Sequence, residues 1–320
     1  MVMPKTATKF RLAARGLAGE PVDLPRTFLS HGMADLPPMW VDEDTPAFGA
    51  TISLSKGRPR SVRVTDDSKD RAVVEVFGRA PGSAAKAEIK STVRHILRLD
   101  EDLSEFYAQA AEDPDLKWVT SGAGRMIRSA TVFEEVVKTV CTTNCSWAMT
   151  IKMVSAMVEH LGEPAVGAPA GSHQGRAFPT PEAMASVDES FYREVVRAGY
   201  RGPYFRELAR RVAESEIDLE AVGNAPADEV SDEELDAALQ ALPGVGPYAS
   251  ATIMMMLGRY SRLILDSWTR PKYARLVGRK SVKDATIARR FRPYGRWAGL
   301  AFWLFLTKDW IESEELPPMA

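Results

Sequence analysis

Cysteine is scarce in this 320-residue chain: Cys141 and Cys145 are the only two. Two thiols cannot build a disulfide framework, and they are too few for a four-cysteine zinc or iron–sulfur centre. Four residues apart on an apparent helix, they are expected to be reduced. Histidine is nearly as sparse; His31, His95, His160 and His173 are dispersed, so a histidine-rich catalytic metal site is not expected. No apolar run approaches the ~20 residues of a membrane span, and the polar start MVMPKTATKFR lacks the apolar stretch of a secretory leader. A cytoplasmic location, nucleoid-associated or nuclear according to the cell, is therefore expected, without membrane association. An excess of positive charge is missing too. The formal net charge is −2, which taken as a whole speaks against a polyanionic partner.

What is present is an ordinary globular composition, 45% hydrophobic and 26% charged, enough for one large or two to three modest cores. The charge is unevenly spread. From Arg259 to Arg296 there are twelve Lys/Arg against two acids, Asp266 and Asp284, whereas 205–240 and the last ten residues are acid-rich. A local basic field on a near-neutral protein can serve phosphate contact, since only charges near a nucleic-acid backbone release its counterions. A solvated helix face has the same composition, so charge alone does not choose.

The first ~80 residues alternate in the strand manner, in Thr51-Ile52-Ser53-Leu54, Ser61-Val62-Arg63-Val64 and Ala72-Val73-Val74-Glu75-Val76-Phe77. Gly78-Arg79-Ala80-Pro81-Gly82-Ser83 breaks the pattern, and the periodicity then becomes helical. Helices are expected near 85–97, 101–112, 115–128, 131–140, 145–161, 181–186, 188–198, 202–214, 231–241, 247–258, 267–277, 283–291 and 295–309. Ser231-Asp232-Glu233-Glu234 has the form of a capping box. The expected class is α+β: an antiparallel sheet domain over 1–84, then a mainly helical two-part body over 85–320.

Leu242-Pro243-Gly244-Val245-Gly246-Pro247-Tyr248 is the most informative stretch. Two glycines one residue apart permit a tight turn whose amides can approach an anion, and Pro247 suits the first position of a following helix. A helix N-terminus adds partial positive charge, although Pro247 removes one donor. Such turns more often merely connect elements. The helix beyond is apolar nearly all round, and Met254-Met255-Met256 within it is read as core packing. Leu263-Ile264-Leu265 then runs into Asp266-Ser267-Trp268, an acid at the end of an apolar segment. It can cap the helix beginning at Ser267, do chemistry, or both.

Leu-Pro-Gly-Val-Gly followed eighteen residues beyond Tyr248 by Leu265-Asp266 resembles the signature of the helix-hairpin-helix DNA glycosylase superfamily. Val140-Cys141-Thr142-Thr143-Asn144-Cys145-Ser146-Trp147 resembles the junction that the family inserts into DNA. Phe178-Pro179-Thr180-Pro181-Glu182 and Gly199-Tyr200-Arg201 resemble its middle helices, and Tyr294-Gly295-Arg296-Trp297-Ala298-Gly299-Leu300-Ala301 its closing helix. The leading sheet is similar to that of the 3-methyladenine and 8-oxoguanine branches.

The resemblance implies a monomeric enzyme acting on double-stranded DNA that holds a damaged base. Asp266 would be catalytic, while Gly244, Val245, Gly246, Tyr248, Arg270 and Lys272 would contact DNA. Asn144 would fill the hole left by a flipped nucleotide. Trp147, Tyr248, Trp268, Phe302 and Trp303 are the candidate walls of the base pocket. The lysine with which some members form a Schiff base falls on Tyr248, so hydrolysis without strand cleavage is expected. The Gly-Gln pair of the 8-oxoguanine branch is blurred into Ser30-His31-Gly32-Met33, which favours alkylated or deaminated bases over 8-oxoguanine. The alternatives are a lesion-binding protein without turnover and an 8-oxoguanine-type glycosylase. No organic cofactor is implied; the main-chain carbonyls of Gln240, Leu242 and Val245 would hold a monovalent cation.

Overall fold

A computed structural model describes residues 6–42, 44–68, 70–168 and 171–310. The acid-rich last ten residues lie outside this range. Five strands, β1 (Thr6–Ala13), β2 (Met39–Asp42), β3 (Ala47–Ile52), β4 (Arg60–Ser68) and β5 (Arg71–Phe77), form one sheet in the order β1-β5-β4-β3-β2. Every neighbouring pair is antiparallel.

The period-two pattern explains the faces. Val62 pairs with Val76 and Val64 with Val74, all four fully buried. Between them Arg63 meets Glu75, which also accepts an ion pair from Lys9 on the outer side. β3 is buried along its whole length. Gly49 in its centre has no alternative there, because a Cβ would fall 1.9 Å from the Trp40 ring on β2.

The sheet's buried face is closed by helix Ser83–Ile96 through Ile89, Val93 and Ile96, together with Ile127. A second, larger core runs from Met33 to Trp310 through the helical part. At its centre lies helix Val132–Thr142, all eleven residues of which are buried. The α+β order expected from the sequence is the order found.

One expected helix is absent. Over 115–128 only a single 3-10 turn, Lys117–Ser121, forms. Gly122 and Gly124 follow with φ of 123° and 108°, outside the helical region. The chain then carries Arg125 into the interior, where its guanidinium pairs with Glu20 and donates to the carbonyls of Arg98 and Glu101. Tertiary hydrogen bonds outweigh local helix propensity here. Similarly, Gly295 at φ 55° breaks the closing helix, which runs over Ala298–Thr307 instead of from 295. No helix among the described residues is long and apolar enough to cross a membrane.

Candidate functional site

Helix Asp232–Gln240 opens with a complete capping box: Ser231 receives the Glu234 amide, and the Glu234 side chain receives the Ser231 amide. The helix ends at a short hairpin in which Val245 N–H donates to the Leu242 carbonyl at 3.2 Å. Gly244 takes φ 80°, and a Cβ there would stand 2.8 Å from the Tyr204 ring. Gly246 is the exposed N-cap of helix Pro247–Met256, with open space where its Cβ would be. The first-turn amides of Tyr248 and Ala249 have no intrahelical acceptor. This is a glycine-lined helix N-terminus facing solvent, the arrangement that receives an anion.

Asp266 is half-buried and organises the start of helix Thr269–Leu276. Its Oδ1 accepts from the amides of Trp268 at 2.8 Å and Thr269 at 2.6 Å, and its own amide donates to Thr269 Oγ1 at 2.8 Å. The capping role read from the sequence is thus present. Its second carboxylate oxygen has no hydrogen-bonding partner among the described residues.

Tyr248 links this aspartate to the hairpin. Burial and the Asp266 charge push its phenol above the ordinary tyrosine range, against the hydroxyls of Thr142 and Thr252, which favour the ionised form. A raised pKa leaves the phenol protonated at neutral pH. Thr142 ends helix Val132–Thr142, so three elements converge: the last turn of the central helix, the first turn of the hairpin helix, and the cap carrying Asp266.

Beyond that central helix, Asn144 is exposed in the left-handed region at φ 48°. Its Nδ2 donates to the Tyr200 hydroxyl at 3.3 Å. Tyr200 is 53% exposed, and the Arg201 guanidinium lies 4.5 Å from its ring centre while donating to the Thr143 carbonyl. Tyr204 meets Tyr200 edge-on at 6.2 Å and packs over Gly244. In the sequence Gly199-Tyr200-Arg201 reads only as a marker of the middle helices, with no role for Tyr200. The available signal was a tyrosine directly after a glycine between helices, a position that holds a ring clear of a core.

Several expected site residues lie elsewhere. Phe302 is fully buried among Phe291 at 5.3 Å and Tyr273 at 6.1 Å. Trp303 is 2% exposed and donates its indole N–H to the Ser30 carbonyl at 2.9 Å. Both are core residues, because the closing helix is apolar on every face and buried almost throughout. Trp268, half-buried, packs against Trp303 at 5.7 Å and Trp310 at 5.9 Å. Trp147 is half-buried against the main core at the start of helix Trp147–Leu161. A cavity of about 590 Å³ between Thr51, Thr92, Phe133, Phe178 and Leu219 is lined by neither Asp266 nor Tyr248. Truncating Phe302 to alanine is expected to cost ~3–5 kcal/mol in a urea titration, as for other buried aromatics. A change in base preference with stability intact would return Phe302 to the site.

The basic stretch also changes character. Among the described residues six of its twelve cations are paired: Arg259 with Asp232, Arg262 with Asp236, Arg270 with Asp284, Lys272 with Asp309, Arg290 with Asp113 and Arg296 with Glu105. Lys272 holds both Asp309 oxygens, at 2.9 and 3.2 Å, with its side chain only 12% exposed, so it is not free for a phosphate as expected. Arg270 is engaged by Asp284 in an exposed pair, which is weak enough to exchange partners. Both cysteines are free thiols, and no cluster of metal-ligating side chains occurs among the described residues.

No protein-family model matches the chain. A probable N-glycosylase/DNA lyase of Methanothermobacter thermautotrophicus is 24% identical over 206 residues, covering 57% of this chain and 62% of that protein. The match thus spans less than two thirds of the curated relative. A 3-methyladenine DNA glycosylase from Archaeoglobus fulgidus superposes with a TM-score of 0.70 at 21% identity, covering 96% of this chain and 100% of that one. The Clostridium acetobutylicum 8-oxoguanine glycosylase/lyase, solved with double-stranded DNA holding cytosine opposite 8-oxoguanine, gives 0.65 at 21% identity, covering 88% and 92%. These likenesses establish a shared fold from the sheet to the closing helix.

Proposed function

We propose that this chain, which has the fold of the helix-hairpin-helix DNA glycosylases, removes a damaged base from double-stranded DNA by hydrolysing its N-glycosidic bond. The observation that carries the reading is the meeting of Asp266 and Tyr248 at the hairpin's first helical turn, with one Asp266 oxygen unengaged.

A base inside a duplex is out of reach of Asp266, so the nucleotide must leave the stack first. Asn144 and Tyr200, exposed and bonded to each other, are the groups to enter the gap, and the Gly244–Gly246 turn holds a backbone phosphate. The free Asp266 oxygen then faces the sugar. As the C1′–N bond breaks, its electron pair leaves with the base and the sugar becomes cationic; the carboxylate stabilises that charge. Water adds to C1′ and gives up a proton to the same carboxylate. The protonated Tyr248 phenol can donate a hydrogen bond but cannot form an imine, which supports hydrolysis without strand cleavage.

Trp147 and Trp268, both half-buried, remain the aromatic candidates for a base wall, and alkylated or deaminated bases remain the favoured substrates. The hairpin carbonyls suit a hard monovalent cation, which would steady the turn. Leu242 accepts one hydrogen bond, from Val245, while Gln240 and Val245 accept none from the backbone among the described residues.

The test is release of free base from duplexes each carrying one alkylated, deaminated or oxidised base, followed by chromatography. Release from at least one duplex, with the strand left intact until alkali is added, is expected. Tight binding to abasic DNA with no base released from any duplex would replace the enzyme with a lesion-binding protein.

A further inference from the structure

Helix Thr269–Leu276 has Asp266 at its start; its other end has no partner. From Arg275 to Ser281 every residue is exposed, including Leu276 at 44% and Val277 at 38%. The helix closes in a left-handed cap: Gly278 takes φ 68°, its amide donates to the Arg275 carbonyl, and Arg279 N–H reaches back to the Ala274 carbonyl at 2.8 Å. That motif usually places an apolar side chain where Arg279 stands, to pack on the helix. Here a cation occupies the position and points into water.

Arg275, Arg279, Lys280 and Lys283 have no acid at ion-pair distance among the described residues, whereas half of the surrounding basic stretch is neutralised. Four unpaired cations framing two exposed aliphatic side chains form a surface complementary to a sugar–phosphate chain. The helix carries that surface about 12 Å from Asp266 at 1.5 Å per residue. At a rise of ~3.4 Å per nucleotide along one strand, this is three to four nucleotides.

Resting on the DNA reading above, we propose that the turn and loop over 275–283 form a second DNA clamp. Its cations bind backbone phosphates of double-stranded DNA three to four nucleotides from the reacting sugar. Leu276 and Val277 lie against the sugar faces between those phosphates. The hairpin and this loop then grip the backbone on either side of Asp266.

The test compares the full chain with the double variant Arg279→Gln/Lys280→Gln and with Gly246→Asp, by fluorescence anisotropy on an undamaged 25-base-pair duplex across a salt series. Gly246→Asp supplies a favoured N-cap side chain, so that variant is expected to fold while repelling phosphate at the hairpin. The loop variant is expected to bind about tenfold more weakly, with unchanged thermal stability. Its slope of log affinity against log salt should fall by ~1.8, two contacts at ~0.9 each. If it binds with wild-type affinity and slope while Gly246→Asp is weakened, the loop is not a clamp and the DNA reading stands. If the wild-type chain itself does not bind the duplex, the DNA reading fails and the clamp with it. Loss of binding only to anionic phosphatidylglycerol vesicles would make the loop a membrane contact and overturn the proposal.

Discussion

Asp266→Asn is expected to lower base release by on the order of 10³-fold while leaving folding and DNA affinity close to wild type, a loss on the scale of removing one main electrostatic stabiliser of a transition state. The substitution separates two roles that one side chain performs. An asparagine oxygen can still accept the Trp268 and Thr269 amides, so the cap on helix Thr269–Leu276 survives. What disappears is the negative charge, which the proposed reaction uses beside the sugar and as the acceptor for water's proton. Asp266→Ala removes the cap as well and is expected to cost a further ~0.5–2 kcal/mol of stability. Single-turnover base release, read beside a urea titration and an abasic-site binding assay, distinguishes the two variants. Equal release by wild type and Asp266→Asn would show that another group does the chemistry.

Where the sequence was legible, the signal was local. The capping box at Ser231, the glycine turn at 244–246 and the aspartate at the start of a helix each depend on groups within a few residues, and each occurs in the structure. The paired valines of β4 and β5 are similar, since an alternating pattern with one buried face admits a single register. The failures are non-local. Nothing near Lys272 announces Asp309, and nothing near Arg290 announces Asp113, so a stretch counted as strongly basic is half neutralised by acids from other segments. Arg125 is read locally as one more polar residue on a helix, but Glu20, 105 positions away, draws it inside. Phe302 and Trp303 read from the sequence as pocket walls because an aromatic on an apolar helix carries no mark of which neighbour it meets. Phe291 and the Ser30 carbonyl settle that only in three dimensions.

On the proposed hydrolytic reading, Tyr248→Lys is expected to add strand cleavage to base release. The phenol sits within the field of Asp266 at the first turn of the hairpin helix, and a lysine amine placed there could attack C1′ as the base departs. The new C1′–N bond would become a protonated imine as the C1′–O4′ ring bond breaks and O4′ takes up the amine's proton; loss of a C2′ proton then expels the 3′ phosphate. The amine attacks only when neutral. Burial at this position lowers a lysine pKa, the reverse of its effect on the tyrosine, while the Asp266 charge raises it. Cleavage should therefore increase with pH as the residual ammonium loses its proton. Borohydride added during the reaction is expected to trap a covalent protein–DNA adduct with Tyr248→Lys and none with wild type. Base release by the variant without any adduct, at any pH up to the limit of folding, would place residue 248 out of reach of the sugar. The hairpin's first turn would then serve phosphate binding alone.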